Sequence, residues 1–286
     1  MVYAVALFAN LLLASAALAA PSSRLAARLE RRRDGRQSKP INRLEHPASN
    51  AGEVSNVQYS SNWAGAVFDS KPAGTFKSVT GTFIVPTPKA ASGKTSGSAS
   101  AWVGLDGDTC GNAILQTGVD FTITNGAVSY DGKRHFHTSG IISFLLCVEW
   151  IAWYEWYPDY AYDFSGIAIS AGDSITTTVT ATSTKAGTAV ITNNTTGKTV
   201  TKSLTSSYAL CEENAEWIVE DYEEGSSLVT LANFGTVTFT GASAGLVAGG
   251  TLGPATADTI DIEQSSKILT SVTVGTSTVA VTYTGA

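Results

Sequence analysis

The side chains able to do chemistry gather in three stretches. The densest is Ala215–Glu224, where Glu216, Glu220, Asp221, Glu223 and Glu224 stand among Trp217, Ile218, Val219 and Tyr222. Its alternation reads as a strand, and on a strand the side chains at i, i+2 and i+4 share a face. Glu216, Ile218, Glu220 and Tyr222 then point one way and Trp217, Val219, Asp221 and Glu223 the other, so both faces mix acid with bulk. A carboxyl among large apolar groups resists ionising because burial disfavours the charged form, and such a group can serve as an acid or base. A rim strand with solvated acids is the plain alternative. The second stretch runs from Ala101 to Asp108 and on through Ala113 to Phe121, with Trp102, Asp106, Gln116 and Asp120; the third is Trp153–Asp159, with Glu155 and Trp156. Gln116 lies in an apolar, strand-like run, where a buried carboxamide needs partners; a structural Gln bonded to backbone would read the same way. Trp102, Trp153 and Trp156 are core candidates, although aromatics beside acids also suit peptide or sugar binding.

Other chemistries fall away. A serine nucleophile needs a His to relay its proton, and outside residues 132–151 the sole His is His46, in a basic leader. Catalysis by a His-held metal fails on the same count. Cys110, Cys147 and Cys211 cannot all pair within one chain. A Cys110–Cys211 bridge would tie the Asp106–Thr109 turn to the acidic strand in an oxidising exterior, which would leave Cys147 over and Cys110 unreactive. Carboxylates and a carboxamide remain, with no metal and no cofactor expected.

The elements that must position these groups are strands. Beyond Val57, helical periodicity is nearly absent. β-Branched runs recur between Gly, Asn and Ser, as in Val79–Val85, Ser174–Thr182, Ala189–Thr192, Thr236–Thr240, Ile268–Val274 and Val279–Tyr283. One all-β domain over 57–286, a sandwich or barrel, is expected. The first twenty residues are uncharged, largely apolar from Tyr3 to Leu13 and small-residue-rich before Pro21, as in a secretory signal. No later run approaches the roughly 20 apolar residues of a membrane span. Residues 21–56 carry eight Lys or Arg against four acids and read as a propeptide; subtracting these from the chain's 18 and 24 leaves ten basic and twenty acidic residues beyond it. A cationic leader on an anionic body would hold it inactive until acid protonates the carboxylates, although a disordered leader without that role fits as well. Low charge without a basic stripe argues against nucleic acid. A secreted monomer is expected, with overlapping glycosylation sequons at Asn193 and Asn194.

Residues 132–151 resemble nothing else in the chain. His135, His137 and Cys147 suggest zinc, but a fourth ligand and the usual spacing are missing. A retained intron, read through in frame, fits better: excision would rejoin Ser129-Tyr130-Asp131 to Ala152-Trp153-Tyr154. An apolar surface loop, costly on an exported protein, is the alternative.

Five separated motifs then appear in order: Ser61-Asn62-Trp63-Ala64-Gly65-Ala66, Trp102 to Cys110, Ile114-Leu115-Gln116-Thr117-Gly118, Trp153 to Pro158 and Ala215 to Asp221. Together they resemble the fungal glutamic peptidases, the eqolisins, from about Ser61 to the end, with a break at 132–151. The resemblance implies an antiparallel two-sheet β-sandwich with a concave substrate cleft, and a catalytic pair that falls on Gln116 and Glu220. It places Trp102, Asp106, Asp120, Asp131 and Glu155 in or behind the cleft, and the family disulfide on Cys110 and Cys211. Its substrates are proteins or peptides. Glu220 would take a proton from water and Gln116 would hold that water and donate to the oxyanion, giving an acid endopeptidase. Repulsion among Asp106, Asp120 and Glu155 implies an acidic optimum. A two-carboxylate glycosidase using Glu155 and Glu220, or a carbohydrate-binding wall protein, are the competing readings.

Overall fold

The structure, a computed structural model, describes residues 35–45, 57–124 and 147–285. In chain order the strands are β1 (Val57–Ser60), β2 (Trp63–Phe68), β3 (Phe76–Ile84), β4 (Gly97–Leu105), β5 (Ile114–Thr124), β6 (Cys147–Tyr157), β7 (Tyr162–Asp163), β8 (Ser174–Ser183), β9 (Ala186–Asn193), β10 (Lys198–Thr205), β11 (Ala215–Glu220), β12 (Glu223–Glu224), β13 (Ser227–Leu228), β14 (Thr236–Leu246), β15 (Thr251–Leu252), β16 (Asp258–Gln264), β17 (Lys267–Ile268), β18 (Thr270–Val274) and β19 (Thr278–Tyr283). They form two sheets packed as a sandwich. The first runs β1-β16-β2-β11-β4-β5-β6-β7 and the second β10-β9-β8-β3-β14-β19-β18. Pairing is antiparallel except at one edge, where β1 lies parallel to β16.

The second sheet follows plain alternation. On β8, on β9 and on β3 from Val79 every other residue is buried and most of the residues between are Thr or Ser, as expected of a sheet with one dry face. Phe83, Val179, Ile191, Phe239 and Val281 meet Phe68, Val103, Leu115, Val119, Phe121 and Trp217 from the first sheet in one core. The indole of Trp217 donates to the Thr80 carbonyl across the gap, 2.8 Å away.

The first sheet departs from that pattern. β2, β4 and β11 are buried at every position, so their outer face is covered as well. Its cover is the basic leader. Residues 35–45 lie extended across it, with Gln37 bridged to Glu223 and Arg43 to Ser60. The acidic stretch pairs as a strand only to Glu220. There the Asp221 N–H turns aside to the Asn62 carbonyl, 2.8 Å away, and β12 pairs with β13 as a separate hairpin.

The Cys110–Cys211 bridge joins the turn after β4 to the segment before β11. One sequon needs correcting: Asn193 is fully buried, its amide donating to Ala168 O (3.1 Å) and Asp173 Oδ2 (2.8 Å), so it has no room for a glycan. Asn194 lies exposed in the following turn. Asp131 and residues 132–146 lie outside the described residues, whereas Val148–Ile151 continue β6 against Asp120–Ile123 of β5.

Candidate active site

Strand register assembles the site. Rows of directly opposed residues cross β11, β4, β5 and β6, and the side chains of alternate rows share the outer face. One row holds Glu220, Ser100 and Asp120; the next holds Ile218, Trp102, Gly118 and Trp153; the third holds Glu216, Gly104, Gln116 and Glu155. Trp102 therefore lies between the row of Glu220 and the row of Gln116. A Cβ on Gly118 would come within 2.4 Å of Trp102 Cβ, and one on Gly104 within 2.8 Å of its ring. These glycines leave the indole its place, from which Nε1 donates to Glu220 Oε2 at 2.9 Å. Trp63 packs edge-on against the same ring, 4.9 Å between centroids.

The leader fills what would otherwise be a cleft. Arg36 is fully buried, with Nε 3.0 Å and Nη2 2.6 Å from the two oxygens of Asp120 and Nη1 3.3 Å from Glu155 Oε2. Its guanidinium lies 4.1 Å from the ring centre of Trp153 and 4.5 Å from that of Tyr222, so a delocalised cation is held between two π faces and by two carboxylates. Ser38 follows on the same face: its N–H donates to Glu155 Oε2 at 3.1 Å, its carbonyl accepts from Gln116 Nε2 at 2.8 Å, and its side chain lies near enough to Glu220 to favour the charged carboxylate.

Burial decides the charge state of these acids. It pushes the Glu220 carboxyl up to about 8, against the opposing pull of Arg36 and of hydrogen bonds from Ser38 and Trp102. Burial likewise carries Glu155 well above the carboxylate range despite Arg36, and takes Asp221 to about 7 despite a bond from Gln264. Glu216 is fully buried with neither oxygen hydrogen-bonded among the described residues; burial, then the nearby Asp106 and Asp108, raise it well above its ordinary value.

Gln116, Glu220, Trp102, Asp120 and Glu155 thus come together on one face. Asp106 does not face the leader: its two oxygens accept the N–H groups of Cys211, Glu212, Glu213 and Asn214 at 2.8–3.1 Å, fixing the approach to β11. It supports the site through that segment rather than by repulsion with Asp120 and Glu155. Sequence reasoning missed Arg36, Ser38, Ser100 and Tyr222. Arg36 is one of eight basic residues in the leader and no local pattern marks it. An open depression of about 490 Å³ lies away from this face, at the sandwich edge between Trp156 and Lys202.

With this geometry in hand, comparison with known proteins is informative. A sequence profile of the Peptidase A4 family matches residues 61–145 and 138–283. Aspergillopepsin-2 of Aspergillus niger is 46% identical over 295 aligned residues, covering 95% of this chain and 96% of that protein. Scytalidopepsin B of Scytalidium lignicola is 37% identical over 228, covering 78% and 74%. The crystal structure of scytalido-glutamic peptidase with a transition state analog inhibitor superposes with a TM-score of 0.64 at 38% identity, covering 78% of this chain and 98% of that one. The chain belongs to the Peptidase A4 family.

The raised carboxyls set the sign of the pH dependence. An acid whose folded pKa exceeds its unfolded value binds more protons when folded, so stability is full below the unfolded value and is lost as pH rises toward the folded one. For Glu220 and Asp221 that window runs from about 4 to about 8 and about 7. The melting temperature is expected to fall steadily across it, and Glu216→Gln, which removes one ionisable buried carboxyl, should flatten the fall. A melting series in which the variant keeps the wild-type slope contradicts this.

Proposed function

We propose that this member of the Peptidase A4 family is a secreted endopeptidase that works in acid, with Gln116 and Glu220 as its catalytic pair. The observation that carries the reading is Ser38. A main-chain carbonyl of an extended peptide accepts from Gln116 Nε2 at 2.8 Å while the same residue rests on Glu220. A substrate laid along this path presents its scissile carbonyl to a neutral donor and to a carboxyl group. Glu220, ionised, takes a proton from water, which attacks the carbonyl carbon; Gln116 donates its N–H to the developing oxyanion; protonated Glu220 then delivers the proton to the leaving nitrogen. Gln116 Oε1 and Glu220 Oε1 have no protein partner among the described residues and are the atoms free to hold that water. A carboxamide suits the first role because it never changes charge, and a two-carboxylate glycosidase would have no use for it.

Residues 21–56 are, on this reading, an inhibitory propeptide. The leader covers the acid face, places Ser38 where the reaction would occur and keeps Glu220 buried and neutral, so that no base is available. Acid protonates Asp120 and so weakens its ion pair with Arg36, and departure of the leader lets water reach Glu220, relieving the desolvation that raises it.

Residues 132–151 are, in the same proposal, excess to the working enzyme. Excision would join Asp131 to Ala152 and bring Asp131 to the register position of Ile151, opposite Asp120. The family match passes from one span to a second, overlapping one within this segment, at residues 138–145, in keeping with an interruption there.

Three outcomes are expected. Gln116→Ala should lose about 10²–10³ in kcat on an unfolded protein substrate in acid with pepstatin present; a variant with wild-type turnover would remove Gln116 from the chemistry. Arg36→Ala leaves Asp120 and Glu155 without their cation, weakening leader binding by about 3–5 kcal/mol. The full chain should then cleave without the lag that acid activation imposes on wild type, and an unchanged lag would argue against occlusion. Peptides covering Phe144–Trp150 should be missing from digests of the natural secreted protein, and their recovery would sink the intron proposal.

A further inference from the structure

The leader continues past the catalytic pair, and its contacts there are built to a different rule from those of Arg36. Most are backbone bonds. Trp63 Nε1 donates to the Lys39 carbonyl at 3.1 Å and Asn62 Nδ2 to that of Pro40 at 3.2 Å. The Ile41 N–H donates to Gly107 O at 3.0 Å, the Asn42 N–H to Asn62 Oδ1 at 2.8 Å, the Ser61 N–H to Asn42 O at 3.0 Å and the Leu44 N–H to Tyr59 O at 2.9 Å. Arg43 stands opposite Ser60 at the free edge of β1. A peptide is thus taken up as an added strand, a mode that fixes register without reading side chains.

Of the side chains within that track, Lys39 pairs with Glu223, Asn42 Nδ2 donates to Ser61 Oγ at 2.8 Å, and Arg43 alone is held by two carboxylates. Arg43 Nε donates to Asp108 Oδ1 at 2.9 Å, its Nη2 bonds the other oxygen of Asp108, and Nη2 also reaches Asp69 Oδ2 at 3.0 Å. The Asp108 side chain is 1% exposed beneath Arg43 and the residue's N–H is directed at Asn214 Oδ1, so the carboxylate is held in place and desolvated in this pairing. Asp69 is held by Gln58 Nε2 at 3.1 Å. Asp258 stands beside them, its carboxyl raised first by burial, then by Asp69 and least by Asp108. A buried, two-pronged acceptor faced by further acids matches the fork of a guanidinium. Ser38 fixes the count, because its carbonyl is the one at Gln116; Arg43 is the fifth residue beyond it.

We propose that Asp108 and Asp69 form a remote specificity site which, once the leader has gone, takes an arginine or lysine at the fifth position after the scissile bond of a substrate. The proposal rests on the reading of Gln116 and Glu220 as the catalytic pair, which sets the position counted from. Substrate selection then has a reach well beyond the reacting bond, with the β1 edge as the ruler between them.

The test compares three peptides that differ only at that fifth position, Arg, Ala or Glu, cleaved by the full chain after acid treatment has released its leader, at a pH where aspartates are ionised. A fourth peptide ends at the fourth position. The Arg peptide should show kcat/KM about five- to tenfold above the Ala peptide, the worth of a charge-assisted bond to a partly desolvated acid, and the Glu peptide should fall below it. In Asp108→Asn the ratio of Arg to Ala should collapse toward one. Equal cleavage of all three by the wild-type chain overturns the proposal and leaves the peptidase reading standing. A leader peptide of residues 35–45 gives a readout without turnover: it should bind the acid-treated chain more tightly than its Arg43→Ala form, and equal affinities overturn the proposal. If none of the four peptides is cut while that binding difference is found, the site holds and the peptidase reading fails.

Discussion

Carboxyl groups packed on one face of a sheet and then covered must each be protonated, paired or hydrogen-bonded, because burying a bare charge costs far more than the fold can spare. The outer face of the first sheet meets this requirement in three ways. Asp120 is ionically paired with Arg36. Asp106 is satisfied by four backbone N–H groups. Glu216 and Glu220 are held above the usual carboxylate range by burial, and Glu220 accepts from Trp102 as well. The face is therefore a structure suited to acid, since each of the protonated groups becomes a liability as pH rises.

The same strand that carries this burden is also the best anchored. β11 sits in the interior of the first sheet, between β2 and β4, and turns Trp217 and Val219 into the main core while Glu216, Ile218 and Glu220 face the leader. Rigidity behind the sheet is what lets a buried carboxyl be held in place in front of it. Trp102 occupies the middle row for the same reason, and two glycines with no room for a Cβ keep it there.

Much of this was legible in the sequence, unevenly. Strands of the second sheet announced themselves by β-branched alternation, since only one of their faces is dry: Val79–Val85, Ser174–Thr182 and Val279–Tyr283 all fall on or across observed strands. The alternation over Ala215–Glu224 marked a strand but left a solvated rim strand open; burial on both faces came from the leader's cover, and the end at Glu220 from a bond to Asn62 that lies far off in sequence. Gln116 and Glu220 were reached through motif resemblance, because periodicity alone cannot separate a reactive Gln from a structural one. Long-range facts stayed hidden: the parallel pairing of β1 with β16, the burial of Asn193, the capture of Asp106 by backbone, and above all the seat of Arg36. A leader read as lacking strand pattern borrows its extended form from the edges it lies against.

The central claim is that Glu220 is the group that activates water. The measurement that tests it most directly is cleavage of an unfolded protein in acid, with pepstatin present, by the acid-treated chain and its Glu220→Gln variant, each shown to be folded by its melting transition. Glutamine keeps the size of the side chain and an acceptor for Trp102 but cannot take a proton, so turnover should drop by about 10²–10⁴ with little change in KM. A folded Glu220→Gln protein that cleaves at the wild-type rate would contradict the account.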